Sequence, residues 1–280
     1  MRLAERAGFE QVAPSAQAVI DDPAVTVVVI ATPHESHAAL ASAALRAGKH
    51  VLCEKPLALS EVELDDVEEA WQSSQCRLWV DFNRRFAPAV IQARRHLTAA
   101  GSPVVITYRV NAGPISPAHW YSDRRQGGRL LGEVCHFVDT CAALAGEPTA
   151  EVLAVTGRAG VAQSGNDLAL ALRFDDGSLA TITYASGGHG STPKERVEIL
   201  GGGHTLVIDD FRSLTFDGAV TWSGSQDKGH TALVTSFARA LDGGSDDTAA
   251  LNSLASSRAT LAALASVLDG RVATVEHHTQ

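Results

Sequence analysis

The chain has 280 residues, 45% of them hydrophobic and 20% charged, which leaves room for two globular domains with a sizeable core and excludes long disorder. A formal net charge of -9 argues against a nucleic-acid or other polyanion partner. No apolar run approaches the ~18 residues of a membrane span, and Met1-Arg2 is followed by charges instead of a signal-peptide core, so a cytoplasmic location is expected.

In chain order, residues 26–31 are short, β-branched and apolar on both faces, which predicts a buried parallel strand. The turn Thr32-Pro33 follows. Residues 36–47 carry Ala39, Leu40, Ala43, Ala44 and Leu45 at helical spacing, and Gly48 is placed to end that helix in the left-handed conformation. The apolar run His50-Val51-Leu52-Cys53 predicts the next strand and runs directly into Glu54-Lys55-Pro56. Ligands of open α/β sheets bind beyond the carboxyl ends of the strands, so a lysine held there by a proline is aimed at a ligand. Read alone, the tripeptide is a solvated turn; its surroundings make it a candidate site. A helix is expected over 61–75 and a buried strand over 77–82, with Asn83-Arg84-Arg85 at its carboxyl end.

Beyond Pro88 the pattern changes. A helix is predicted over 90–98 and a strand over 104–110, and strand patterns recur over 152–157, 168–174, 179–184, 196–200, 205–209 and 213–216. Asp175-Asp176-Gly177-Ser178 is a hairpin turn between two of them. Short connections imply an antiparallel sheet, hence an α+β domain with one exposed or dimer-forming face. Helices over 231–241 and 249–268 close the chain. A further helix over 133–145 places His136 and Asp139 on one face. Without other information His136 is a buried core histidine. Cys53, Cys76, Cys135 and Cys141 lack metal spacing and read as buried thiols. His34 and His37 stand three apart, but no third ligand is signalled, so no metal is expected. His277-His278 reads as frayed tail.

Ala31-Thr32-Pro33, His37, Ala47-Gly48-Lys49-His50-Val51, Glu54-Lys55-Pro56-Leu57-Ala58 and Asn83-Arg84-Arg85-Phe86-Ala87-Pro88 occur in that order. Together with Gly127-Gly128-Arg129, Cys135-His136-Phe137-Val138-Asp139 and Gln226-Asp227-Lys228-Gly229-His230, this set resembles the Gfo/Idh/MocA family of nicotinamide-dependent oxidoreductases. The flavour is similar to the branch fused behind a zinc-type alcohol dehydrogenase domain. The resemblance implies an incomplete Rossmann-like parallel sheet over 1–86 and an antiparallel α+β domain for substrate and oligomerisation over 87–280. The family opens with a strand and a G-x-G-x-x-G turn that cradles the pyrophosphate. No such turn occurs here, and residues 1–9 resemble the end of the family's second helix, so an N-terminally truncated relative is expected.

The resemblance further implies NAD or NADP as cofactor and a secondary alcohol of a sugar, cyclitol or nucleotide-linked sugar as substrate. Lys55 would donate to the carbinol oxygen. His136 would be the general base, since an unperturbed histidine titrates near pH 6.5. The family's aspartate four residues before that histidine is Gly132 here; Glu133 is adjacent, a third catalytic candidate that could instead cap the helix. Thr32, Pro33, His37, Glu54, Lys55 and Pro56 would line the cofactor side. Asn83, Arg85, Tyr108, Asn111, His119, Trp120 and Asp139 would face the substrate. The alternative is an inactive relative that serves as a ligand-binding or oligomerisation module.

Overall fold

The computed structural model describes residues 6, 8–101, 103–116, 118–120, 123–157, 167–243 and 247–277. Helix α1 (Ala16–Asp21) is capped by the Ser15 hydroxyl and leads to strand β1 (Val27–Ile30). A 3-10 turn (His34–Ser36) and helix α2 (His37–Arg46) cross to strand β2 (His50–Cys53). Helix α3 (Glu61–Gln72) then leads to strand β3 (Leu78–Val80). The three strands are parallel in the order β1-β2-β3, paired Val28 with Val51 and Val51 with Leu78. Val51, Leu78, Ala41 and Leu64 are fully buried between sheet and helices, each large aliphatic stabilising by about 1.5–3 kcal/mol. Gly48 ends α2 at φ +74°, the left-handed conformation the sequence predicts for it. Ser60 accepts from the Glu63 amide while the Glu63 carboxylate accepts from the Leu59 amide, which settles the free donors at the start of α3.

A 3-10 turn (Asn83–Phe86) feeds helix α4 (Pro88–Ala100) and strand β4 (Val105–Asn111). After a π-helical turn (Leu130–Val134) come helix α5 (Cys135–Ala145) and strands β5 (Thr149–Thr156), β6 (Leu168–Phe174), β7 (Leu179–Ala185), β8 (Glu195–Gly201), β9 (His204–Asp209), β10 (Ser213–Phe216) and β11 (Ala219–Ser223). Helices α6 (His230–Leu241) and α7 (Thr248–Asp269) and the short strand β12 (Ala273–Thr274) follow. The second sheet has nine strands in the order β11-β10-β9-β8-β4-β7-β6-β5-β12. The predicted antiparallel sheet is therefore mixed, because β4 and β7 pair in parallel at its centre, Val105 with Leu179.

Period-two alternation fixes which face is covered. In β6 Leu168, Leu170, Leu172 and Phe174 are buried while Ala169, Ala171 and Arg173 face out. Helix α5 packs on β4 and β7, and α7 packs on β5. Helix α7 also reaches β3 and α3, joined there by Arg258, which donates to Asp65 at 2.8 Å and to Glu68. The other face of the nine-stranded sheet, with Val105, Thr107, Leu179, Thr181, Thr183 and Leu200 on it, is open.

Three differences from the sequence reading have physical causes. Helix α1 is six residues long and β11 pairs only with β10, so neither carries enough periodicity to be read. The helix predicted over 133–145 starts with a π turn that packs against Lys55. The expected frayed tail is tied down at His277, whose Nε2 lies 2.9 Å from the Thr149 carbonyl; His278 lies outside the described residues. All four cysteines are buried free thiols, and burial pushes Cys135 up to about 12.

Candidate active site

The carboxyl ends of β1, β2 and β3 open toward the π turn and the first turn of α5. Lys55 stands just past β2, before a cis Pro56, and its ammonium donates to the Gly132 carbonyl at 2.8 Å. Gly132 occupies the position where the sequence comparison expects an aspartate. It supplies a backbone acceptor for the lysine, and His136 follows four residues later, one helical turn on. The strand-end lysine and the helix-borne histidine are thereby held together.

His136 is buried with its ring edge-on to Phe82 at 6.3 Å between centroids. Its Nδ1 is sealed from solvent and makes no hydrogen bond among the described residues, which leaves Nε2 as the ring nitrogen a ligand can meet. Burial, then the positive charges of Arg84, Lys55, His230 and Lys194, lower its pKa well below the ordinary value. The imidazole is therefore neutral at neutral pH. The expectation of titration near 6.5 is corrected: a rate limited by His136 would not change around the ordinary histidine value.

Glu133 does not cap the helix. Its carboxylate accepts from Lys194 at 2.7 Å, from Arg129 at 3.2 Å and from the Tyr184 hydroxyl. Burial alone would raise its pKa, but Lys194, Tyr184 and Arg129 outweigh that and hold it below the ordinary range. A carboxylate fixed by three donors is an anchor, not a free base. It pairs with Lys194, whose charge also contributes to lowering the His136 pKa. Lys194, Tyr184 and Arg129 were not singled out in the sequence, since each lies outside the strand-end motifs apart from Arg129, which sits in a quoted motif without an assigned role.

On the cofactor side, Thr32 and Pro33 are exposed at the end of β1. His37 is fully buried, with Nδ1 2.8 Å from the Pro56 carbonyl and Nε2 2.8 Å from the Thr32 carbonyl. It therefore ties the two ligand-side loops together and does not line the crevice, contrary to the sequence reading. His34 lies 2.7 Å from the Gln126 carbonyl, and burial lowers its pKa to about 4. Its ring meets that of Trp120 edge-on at 4.7 Å. Trp120 and His119 stack at 6.0 Å and are exposed at this mouth, as a sugar-contacting pair would be.

Five predicted substrate contacts are engaged by partners within the fold. Tyr108 is fully buried and donates to Glu195 Oε2 at 2.5 Å, within the core. Arg85 and Asp139 form an ion pair at 2.5 Å, completed by the Ser256 hydroxyl at 2.8 Å. Arg85 borders a different cavity, with Arg94 and Asn252, which neither Lys55 nor His136 lines. Asn111 donates to the carbonyls of His189 and Thr192 at 2.9 and 3.2 Å and shapes their loop. Asn83 is buried and donates to the Lys228 carbonyl at 2.8 Å, beside His230 Nδ1 at 3.3 Å. That contact requires Gly229, where an added Cβ would lie 2.4 Å from the Asn83 carbonyl oxygen at φ +86°.

A short parallel sheet with a strand-end lysine, facing a histidine on a helix under a large mixed sheet, is the layout of an oxidoreductase with separate cofactor and substrate parts. Comparison with known proteins agrees. Residues 1–82 match the family model described as "Oxidoreductase family, NAD-binding Rossmann fold", and residues 99–207 match the "GFO/IDH/MocA C-terminal domain". Levoglucosan dehydrogenase of Pseudarthrobacter phenanthrenivorans is 33% identical over 69% of this chain and 55% of its own length. Myo-inositol 2-dehydrogenase of Thermotoga maritima is 28% identical over 76% of this chain and 65% of its own. The chain thus spans about half to two thirds of the curated relatives it matches. A levoglucosan dehydrogenase solved in complex with NADH superposes with a TM-score of 0.84 at 24% identity, covering 99% of this chain and 86% of that one. An oxidoreductase domain protein from Kribbella flavida superposes at 0.83 and 23% identity, covering 98% and 87%. The chain belongs to the Gfo/Idh/MocA oxidoreductase family. Nothing among these relatives favours the inactive alternative.

Proposed function

We propose that this chain oxidises or reduces a secondary alcohol carbon of a sugar or cyclitol with NAD(H) as hydride partner. The observation that carries the reading is the Lys55–Gly132 hydrogen bond, which brings the lysine within one helical turn of a neutral, buried His136. The polyol dehydrogenases among the relatives support the substrate class, and the family description supports the cofactor. Thr32, Pro33 and Glu54-Lys55-Pro56 suit the ribose and nicotinamide end, because they crown the carboxyl ends of β1 and β2. The 280 residues contain no G-x-G-x-x-G motif for the pyrophosphate. When bound, the nicotinamide would accept or deliver the hydride. Lys55 would donate to the carbinol oxygen and stabilise charge developing there. His136 Nε2 would take the alcohol proton in oxidation and return it in reduction. His119 and Trp120 would meet the sugar face.

A fluorescence titration with NADH and NADPH, on protein shown to be folded by circular dichroism, tests the reading. Saturable binding of NADH is expected, and a folded chain that binds neither would overturn it.

The open face of the nine-stranded sheet is read as a homo-oligomer interface. Its centre carries Thr107, Thr181 and Thr183 with Val105, Leu179 and Leu200 beside them and charges of both signs, Arg109, Arg173, Arg196 and Glu198, interspersed, a surface that a second copy can match through a twofold axis. Light scattering should give at least twice the 29.4 kDa of one chain. Thr181→Arg should return the monomer mass; a monomeric parent protein would refute the interface.

A further inference from the structure

Glu54 and Asp81 sit just beyond the carboxyl ends of two adjacent strands. Cys53 pairs with Val80 in the β2–β3 register, and the Asp81 amide continues the ladder to the Cys53 carbonyl at 2.8 Å. The Glu54 amide reaches back to Ile30 at 2.8 Å. The two side chains are therefore neighbours by backbone pairing, and Glu54 acts on Asp81 through both its charge and its hydrogen-bonding oxygens. Two carboxylates only accept, so a hydrogen bond between them needs a proton that one of them keeps. Asp81 Oδ1 is sealed from solvent and has no partner among the described residues, which favours the neutral form there.

The charged groups facing the pair come from three elements. Lys55 belongs to the same loop as Glu54, and Arg84 to the turn after β3. His230, at the start of α6, faces Glu54. The Lys55 and Arg84 cations favour ionisation of Asp81, and burial and Glu54 oppose it.

We propose that Glu54 and Asp81 hold a single proton between them, and that Asp81 is a positioning residue whose acid–carboxylate bond pins Glu54 to the sheet and presents Lys55 to the crevice. Burial first, then the charge and the hydrogen bond of Glu54, raise Asp81 to about 7, in keeping with this arrangement. Above that pH the proton passes to solvent and two carboxylates face each other at the base of Lys55. The consequence for catalysis rests on the function proposed above, whereas the shared proton does not.

The folded-state pKa lies above the ordinary aspartate value, so the associated stability is complete in acid and is lost as pH rises through about 7. Melting temperatures of the parent protein, Asp81→Asn and Glu54→Gln, measured from about pH 5 to pH 8, read this directly. Asparagine keeps a donor for Glu54 and has no proton to lose. Asp81→Asn should therefore gain on the parent protein as pH rises, and Glu54→Gln should flatten the same slope if the first variant does not fold. Curves that stay parallel would overturn the proposal. Infrared spectra should also show a protonated carboxyl band near neutral pH that Asp81→Asn lacks; its absence from the parent protein would equally overturn it. Failure to bind NADH would count against the functional reading alone and leave these curves unchanged.

Discussion

Replacing Lys55 with alanine is expected to lower turnover by about 10²–10³-fold, the usual consequence of removing one donor aimed at a developing oxyanion. The fold should barely notice. The variant loses the hydrogen bond to the Gly132 carbonyl, a contact worth about 1 kcal/mol. For a chain of this size that is a shift of roughly 2–4 °C in melting temperature. The comparison should use the sugar or cyclitol that gives the highest rate with the parent protein. Affinity for NADH should change far less than turnover, because the lysine meets the reacting oxygen and not the dinucleotide's phosphates. Proportionate loss of stability and activity would show instead that the Gly132 tether is the main task of Lys55. His136 would then lack the partner that the proposed chemistry needs.

The parallel strands, the strand-end lysine and the alternating sheet were legible because they rest on local pattern. Residues 27–30 and 51–53 are apolar on both faces and end in a turn, a signal that depends on nothing distant. His136 was proposed through the order of the motifs. The misassigned residues all depend on who meets whom across the fold. Tyr108 looks like a sugar-facing aromatic until Glu195, 87 residues later, is seen to take its hydroxyl. Arg85 and Asp139 look like polar site residues until they are seen to neutralise each other 54 residues apart. His37 reads as a lining residue, yet both of its nitrogens are engaged by loop carbonyls. Asp81 carried no motif of its own, and its interest comes from strand register. Such pairings are set by topology, and no window of neighbouring residues contains them.

Glu195→Gln is expected to be the most destabilising single change near the site, by about 3–5 kcal/mol, the cost of breaking a buried ion pair on one side. Glu195 is buried and accepts from Arg84 at 2.8 and 2.9 Å, from Lys228 at 2.6 Å and from Tyr108 at 2.5 Å. The glutamine amide would place a donor against these donors and leave Arg84 and Lys228 without a counter-charge. With total stabilities of ~5–15 kcal/mol, a loss of that size takes away a large share. The functional crevice would suffer with it, since Arg84 lies in the turn that carries Asn83, and Lys228 leads into His230. Acid provides the check on cause. Burial by itself would raise the Glu195 pKa, but Arg84 and Lys228 outweigh it and hold the carboxyl down to about 2. A lowered folded-state pKa means stability that is present above the ordinary value of 4.5 and is lost as pH falls through about 2. Urea unfolding at about pH 7, 5 and 3 should therefore show a gap between the parent protein and Glu195→Gln that narrows below the ordinary value of 4.5, where this carboxyl takes up a proton in the unfolded chain before it does in the folded one. A gap unchanged by pH would mean that shape, and not charge, holds the network together. Replacing Arg84 and Glu195 together by Met and Leu should cost less than Glu195→Gln alone, because only Lys228, and not the deeply buried Arg84 as well, is left without a counter-charge.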